Sequence, residues 1–179
     1  MMRNIILTGP KHSGKTSTGK ALASLLSCDF TDTDDMILQR TGKTPRELFI
    51  EGQNIFKKAE AEVSEKLAEE LIGSSEKRII ATGGGIIDNP DALAFIKKIN
   101  TVVVYLNIYA ESAWSRISNS SDGVLPPVFG AGNPRETHRL MHERRSAAYN
   151  QLADIIIFAE GKTPDEIAGE IIESITAFG

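Results

Sequence analysis

The chain reads as an α/β domain, a parallel sheet covered by helices, and three observations predict this. Apolar runs of strand length recur at Ile5–Leu7, Arg78–Ala81, Val102–Leu106 and Asp154–Phe158, with stretches of helical period between them. The runs are apolar throughout instead of alternating with polar residues, as in strands that helices cover on both faces. The segment Gly9-Pro10-Lys11-His12-Ser13-Gly14-Lys15-Thr16 follows the first run and opens a helix, in the pattern G-x-x-x-x-G-K-[ST]. A length of 179 residues with a hydrophobic fraction of 41% suits one such domain, spanning 1–179.

Taken in order, the first strand delivers the chain into that glycine-rich loop, and a helix runs from Lys15 to Leu26. Glycines let the loop curl until its N–H groups face an anion, and the helix adds the positive end of its dipole. Lys15 supplies a charge for the β- and γ-phosphates, and Thr16 a hydroxyl for Mg²⁺. The predicted ligand is a nucleoside triphosphate, with Gly9, Lys11, Ser13, Gly14, Lys15, Thr16 and Ser17 around it. A chance Gly-rich turn is the other reading, and the strand before it and the helix after it argue against that.

A weaker strand at Asp29–Thr31 leads into Asp32-Thr33-Asp34, which places both carboxylates at the carboxyl edge of the sheet, beside the phosphate loop. Phosphoryl transfer needs one carboxylate near Mg²⁺ and another to orient the acceptor hydroxyl, so Asp32 suits the first role and Asp34 the second. Either could instead cap a helix starting near Asp35. From Pro45 to Leu71 the pattern is helical, with Phe56, Ala59, Val63, Leu67 and Leu71 forming a core stripe. Lys57, Glu60 and Ser64 fall on a neighbouring face, where Lys57 and Glu60 can also be a plain exposed ion pair. Gly83, Gly84 and Gly85 follow the third strand at the same edge, a weak motif alone that gains weight from its neighbours. The segment 118–133 carries the strongest breaker signals and is predicted to be a lid or a disordered loop. Helices from Arg135 to Gln151 and from Pro164 to Ala177 close the chain.

A formal net charge of -4 argues against nucleic acid as a partner. The single cysteine, Cys28, excludes an internal disulfide and reads as a buried thiol in a reducing cytoplasm. No apolar run has the length of a membrane span, and the N-terminal residues pass straight into a strand with no signal-peptide pattern, so the expectation is a soluble, unprocessed protein. His12, His138 and His142 lack partners at metal-ligand spacing, and no zinc site is expected.

The Gly9–Thr16 loop, Asp32-Thr33-Asp34, Gln39-Arg40-Thr41-Gly42, the Phe56–Glu60 segment, Ala81-Thr82-Gly83-Gly84-Gly85 and Glu143-Arg144-Arg145 with Tyr149 together resemble the shikimate kinases, in the family's order and over nearly the whole chain. The resemblance implies a three-layer P-loop fold of the nucleoside monophosphate kinase type, with a five-stranded parallel sheet of order 2-3-1-4-5 flanked by helices. It implies an acceptor-binding helical region at about 33–73 and a lid at about 118–134. The implied reaction is transfer of the ATP γ-phosphoryl group to the 3-hydroxyl of shikimate, with Mg²⁺, by a monomer. Carried over residue by residue, Asp34 meets the shikimate hydroxyls and acts with Lys15 in catalysis, Gly83, Gly84 and Gly85 surround the substrate, and Arg145 holds its carboxylate. Arg116 falls where the family stacks an arginine on adenine. Read alone, Arg145 is more commonly a helix-surface salt bridge with a glutamate such as Glu143, and Arg116 a packing residue at the lid base.

Two departures lie on the acceptor side. The family's Phe-Arg-x-x-Glu is here Phe56-Lys57-Lys58-Ala59-Glu60, so Lys57 keeps the charge of a second carboxylate ligand and loses the planar fork. The lid's Arg-Pro-Leu is replaced by Val124-Leu125-Pro126-Pro127-Val128, which removes a cation from the transferring phosphate; Lys11, Arg135 and Arg139 are the candidates to compensate. An altered acceptor specificity, for another small hydroxylated acid, and a nucleotide-binding regulator without turnover are therefore carried as alternatives.

Overall fold

A computed structural model describes residues 4–119, 125–130 and 132–177. Its centre is a five-stranded sheet of order β2-β3-β1-β4-β5, with β1 (Asn4–Thr8), β2 (Asp29–Asp32), β3 (Arg78–Ala81), β4 (Thr101–Asn107) and β5 (Ile155–Phe158). Every neighbouring pair is parallel, and β1 sits centrally, with Ile6 in register with Ile80 on one side and Val103 on the other. The helices are α1 (Lys15–Leu26), α2 (Thr33–Thr41), α3 (Pro45–Glu51), α4 (Gln53–Leu71), α5 (Pro90–Ile96), α6 (Ala110–Ser118), α7 (Pro134–Leu152) and α8 (Pro164–Ala177). Short 3-10 turns cover Ile86–Asp88 and Pro127–Phe129.

Because successive strand residues point to opposite faces, the apolar runs feed two cores at once. Ile5, Leu7, Ile79 and Val104 pack with Leu22 of α1 and Ile167 and Ile171 of α8. On the other face Ile6, Ile80, Val103 and Tyr105 pack with Leu67 and Leu71 of α4 and with Tyr149 of α7. A smaller cluster of Ile37, Leu48, Ala59 and Val63 ties α2, α3 and α4 into one body beside the sheet edge. This body falls within the stretch 33–73 that the resemblance assigns to acceptor binding. No helix among the described residues is long and apolar enough to cross a membrane.

Several sequence expectations are corrected. The pattern from Pro45 to Leu71 is two helices, not one, because the chain leaves helical geometry at Gly52 (φ 164, ψ 132). The apolar stripe lies wholly on the α4 side of this break, so its period could not register it; Phe49 and Phe56 meet across it with ring centroids 6.2 Å apart. Lys57, Glu60 and Ser64 do not share a surface, since Glu60 and Ser64 are each 1% exposed. An exposed Lys57–Glu60 pair is thereby excluded, and Asn89 Nδ2 instead donates to Glu60 Oε2 and to the Lys57 carbonyl, both at 2.9 Å. β5 is an edge strand whose outer face is not fully covered, with Ile156 50% and Phe158 40% exposed. Asp154 lies outside that strand, where its backbone N–H and its side chain both pair with Val103. Cys28 is half-buried instead of buried, because β2, which it precedes, forms the opposite edge. α2 begins at Thr33, ahead of the expected start near Asp35.

Candidate active site

The carboxyl ends of β1, β2 and β3 bring the polar motifs together. After β1 the loop turns sharply at Gly9, where φ is 142° and an added Cβ would lie 2.6 Å from the Leu106 carbonyl oxygen. Lys15, 8% exposed, reaches back so that Nζ donates to the carbonyls of Pro10 at 2.8 Å and Gly9 at 3.1 Å. Ser13 is buried behind the loop, its Oγ 3.4 Å from the same ammonium. Burial pulls the Lys15 pKa down to about 8, against the opposing pull of Asp34 and Asp32.

Asp32 closes β2 and caps α2, accepting the Asp34 N–H at 3.0 Å on Oδ1. Its other oxygen accepts from Thr16 Oγ1 at 2.7 Å. The capping role thus belongs to Asp32, and Asp34 is left to face the cleft. Burial, with Asp32 close by, raises the Asp34 carboxyl to about 6, while Lys15 and Lys11 pull it the other way.

Two cavities meet along this edge. Lys11, Gly14, Lys15, Thr16, Ser17, Asp32 and Arg116 line the nucleotide-side cleft, together with His12, Asp34, Thr82 and Gly84. Arg116 reaches it from α6 by donating Nη1 to the His12 carbonyl at 2.9 Å, so it is part of the loop's own wall instead of packing at the base of a lid. His12 itself is exposed. The second cavity is walled by Lys11, Asp34, Gly83, Gly84, Gly85 and Arg145, by the apolar side chains of Phe49, Phe56, Met141 and Tyr149, and by Pro126–Phe129. Lys11, Asp34 and Gly84 border both cavities. Gly84 has to be glycine, because a Cβ there would stand 2.7 Å from the Lys11 backbone nitrogen.

Arg145 is not the surface partner of Glu143, which pairs with Arg139. Asp88 Oδ2 holds Arg145 through Nε at 2.9 Å and Nη2 at 2.7 Å, and Nη1 donates to the Gly84 carbonyl at 3.2 Å. Tyr149 donates to the same carbonyl at 3.1 Å, so the guanidinium is fixed against the glycine turn. Of the cations offered as substitutes for a lid arginine, Arg135 is engaged by Glu111 and Arg139 by Glu136 and Glu143, all at the surface, while Lys11 stands where the cavities join.

Close enough to Glu60 to act on its carboxyl, Lys57 is nevertheless not among the residues that line the acceptor cavity. Phe56 points there, and the next helical residue is turned by about 100°, so Lys57 borders a separate groove with Asn54, Lys58, Glu62 and Asn89. The expected lid falls in part outside the described residues, at 120–124, Val124 included, and at 131. Its described portion, 125–130, lies over the acceptor cavity, where Phe129 packs against Trp114 and His138 with centroid distances of 6.0 and 5.5 Å. His138 and His142 are buried in that wall. Burial drops His138 to about 4, so it serves as a neutral aromatic.

Residues that the motifs did not single out include Arg46 on α3, which lines the acceptor cavity, and Asp88, which positions Arg145. A cation in the first turn of a helix opposes the helix dipole, and for Arg46 that was the available signal. Asp88 gave none, because its partners lie 56 and 57 residues away. Glu60 also approaches the site, its Oε1 lying 3.2 Å from where a Cβ on Gly83 would stand. Burial lifts its carboxyl to about 7, above an ordinary value of 4.5. The folded chain therefore binds this proton more tightly than the unfolded chain, and stability falls as pH rises from about 4.5 to about 7, staying flat above. In Glu60→Gln, denaturant midpoints should lose this slope, a difference on the order of 3 kcal/mol between the two ends of the window; parallel pH profiles for both proteins would refute the assignment.

A donor bound on one side and an acceptor on the other would meet end to end at Lys11, Asp34 and Gly84. Fold and site together define a phosphate-loop kinase acting on a small molecule. The family model described as shikimate kinase matches residues 11–176. The chain belongs to the shikimate kinase family. It is 32% identical to a shikimate kinase of Shewanella frigidimarina over 174 residues, 97% of this chain and 96% of that protein. Among solved structures, shikimate kinase from Acinetobacter baumannii in complex with shikimate superposes with a TM-score of 0.86 at 29% identity, covering 99% of this chain and 94% of that one. A gluconokinase from Sinorhizobium meliloti shares the fold alone, at TM-score 0.62 and 15% identity over 98% of this chain and 93% of that one.

Proposed function

We propose that this protein is a shikimate kinase, moving the γ-phosphoryl group of ATP to the 3-hydroxyl of shikimate. The observation that carries the reading is the single cavity in which Asp34, the Gly83–Gly85 turn and Arg145 converge next to the phosphate loop. ATP lies along Gly9–Ser17 with its phosphates toward Lys15 and its base toward Arg116. Thr16 Oγ1 and Asp32 Oδ2, hard oxygens 2.7 Å apart, suit Mg²⁺, which takes few protein ligands beside phosphate oxygens and water. When bound, the ion supplies charge neutralisation at the β- and γ-phosphates.

Shikimate enters the second cavity with its hydroxyls toward Asp34 and its carboxylate toward Arg145. The acceptor oxygen attacks the γ-phosphorus as the bond to ADP breaks, and Asp34 takes the hydroxyl proton. Lys15 and Lys11 offset the negative charge that shifts toward the β-phosphate. Segment 125–130 covers the acceptor and keeps water from competing for the phosphoryl group.

ADP release from Mg·ATP should depend on shikimate, with phosphorus NMR placing the new ester on the 3-oxygen. Tight ATP binding with no shikimate-dependent release would refute the proposal.

A further inference from the structure

We propose that Glu60 is a positioning residue of the acceptor site and acts there as a neutral carboxylic acid, sparing Asp34 a second anion while an anionic acceptor is bound. The inference rests on the shikimate reading and adds a residue and a proton to it. Its basis is the convergence of two carboxyl groups on one glycine.

A Cβ built on Gly83, the first residue of the glycine turn, would stand 2.9 Å from Asp34 Oδ1 and 3.2 Å from Glu60 Oε1. The two carboxyl groups thus approach the same small space from α2 and α4. Asp34 borders both cavities, whereas Glu60 is 1% exposed. Asn89 Nδ2 donates to Glu60 Oε2, and Oε1 has no hydrogen-bond partner among the described residues. A buried anionic oxygen without a donor, beside a second carboxylate, is costly on both counts, and a proton on Glu60 relieves both.

The charges around Glu60 tie that proton to the acceptor. Asp34 of α2 favours it, while Arg145 of α7 and Lys57 of the same helix, α4, oppose it. α3 and α5 share apolar clusters with α4 through Leu48, Ala92 and Ile96, which carry no charge. An acceptor carboxylate paired with Arg145 cancels part of that cation's pull on Glu60, so acceptor and proton bind cooperatively. By reciprocity, acceptor affinity falls as Glu60 ionises.

The test measures shikimate binding without nucleotide to wild type and Glu60→Gln, by calorimetry across pH and in buffers of different ionisation enthalpy, with thermal melting as a folding control. Because Glu60 titrates at about 7, wild type should take up about half a proton per shikimate at neutral pH, and its Kd should rise about tenfold from about pH 6.5 to about pH 8. In Glu60→Gln, whose amide is neutral throughout, the uptake should vanish and Kd should lose this rise. Infrared difference spectra at mildly alkaline pH should show wild type gaining a protonated-carboxyl band on binding, a readout that does not need the variant. Proton uptake that survives in the variant would overturn the proposal, as would a wild type that binds shikimate with neither uptake nor the carboxyl band. So would a variant that folds but binds no shikimate at any pH, because the ionised carboxylate would then be the working form. A wild-type protein that neither binds nor phosphorylates shikimate would instead overturn the function itself, and this inference with it.

Discussion

Asp34→Asn should reduce kcat by about 10²–10⁴-fold, the range for loss of a positioned general base, while ATP affinity stays near the wild-type value. The expectation follows from where the carboxylate sits. Asp32 carries the capping bond and the contact to Thr16, so Asp34 is spared both duties and borders the nucleotide and acceptor cavities at once. Burial and the neighbouring Asp32 hold its proton affinity above that of an ordinary carboxylate, to about 6. It is therefore ionised at neutral pH and a stronger base than a surface aspartate. Asparagine preserves size and can still accept a hydrogen bond, but it cannot take the proton. Single-turnover kinetics with saturating ATP and acceptor isolate the step, and a variant that retains a tenth or more of the wild-type rate would remove Asp34 from this role.

Lys15→Ala should damage both halves of the cycle, weakening ATP binding and lowering kcat by about 10²–10³-fold, the cost of losing one preorganised charge at the transition state. The ammonium is buried, and its pKa of about 8 keeps it mostly charged at neutral pH. Its present partners are the Gly9 and Pro10 carbonyls, at 3.1 and 2.8 Å, which aim it along the inside of the loop. Those bonds also brace the loop, so the variant should melt earlier than wild type, by an amount that saturating ATP does not restore. Calorimetric ATP titration separates the contributions. Unchanged ATP affinity with wild-type turnover would show that the helix N-terminus and the backbone N–H groups hold the phosphates unaided.

The central strands were legible because β1, β3 and β4 are buried on both faces, and burial on both faces demands a continuous apolar run. The edge strands were harder, for the opposite reason. β2 opens with exposed Asp29, and the outward side chains of β5 are half in solvent. Among site residues, the phosphate loop and the two aspartates could be read because their chemistry lies within a few positions of a single turn. Arg145 could be given a substrate by resemblance alone, whereas its true neighbour, Asp88, became visible only when α7 packed against the 3-10 turn at Ile86–Asp88. Lys57 and Arg46 show the same limit from two sides. Adjacent residues on a helix diverge by about 100°, so Phe56 can line the acceptor cavity where Lys57 does not, while Arg46, eleven residues before Lys57 and across the Gly52 break, lines it from α3.

The contact between Gly84 and the backbone of Lys11 bears on how such a site can diversify. That wall borders both cavities, so a side chain introduced there would intrude on the nucleotide side and the acceptor side together. Change in acceptor preference is thereby channelled to α3 and to the segment at Pro126–Phe129, which border the acceptor alone. Randomised libraries aimed at those two surfaces should yield altered hydroxy-acid selectivity with nucleotide use intact, while libraries spanning Gly83–Gly85 should yield mostly inactive protein.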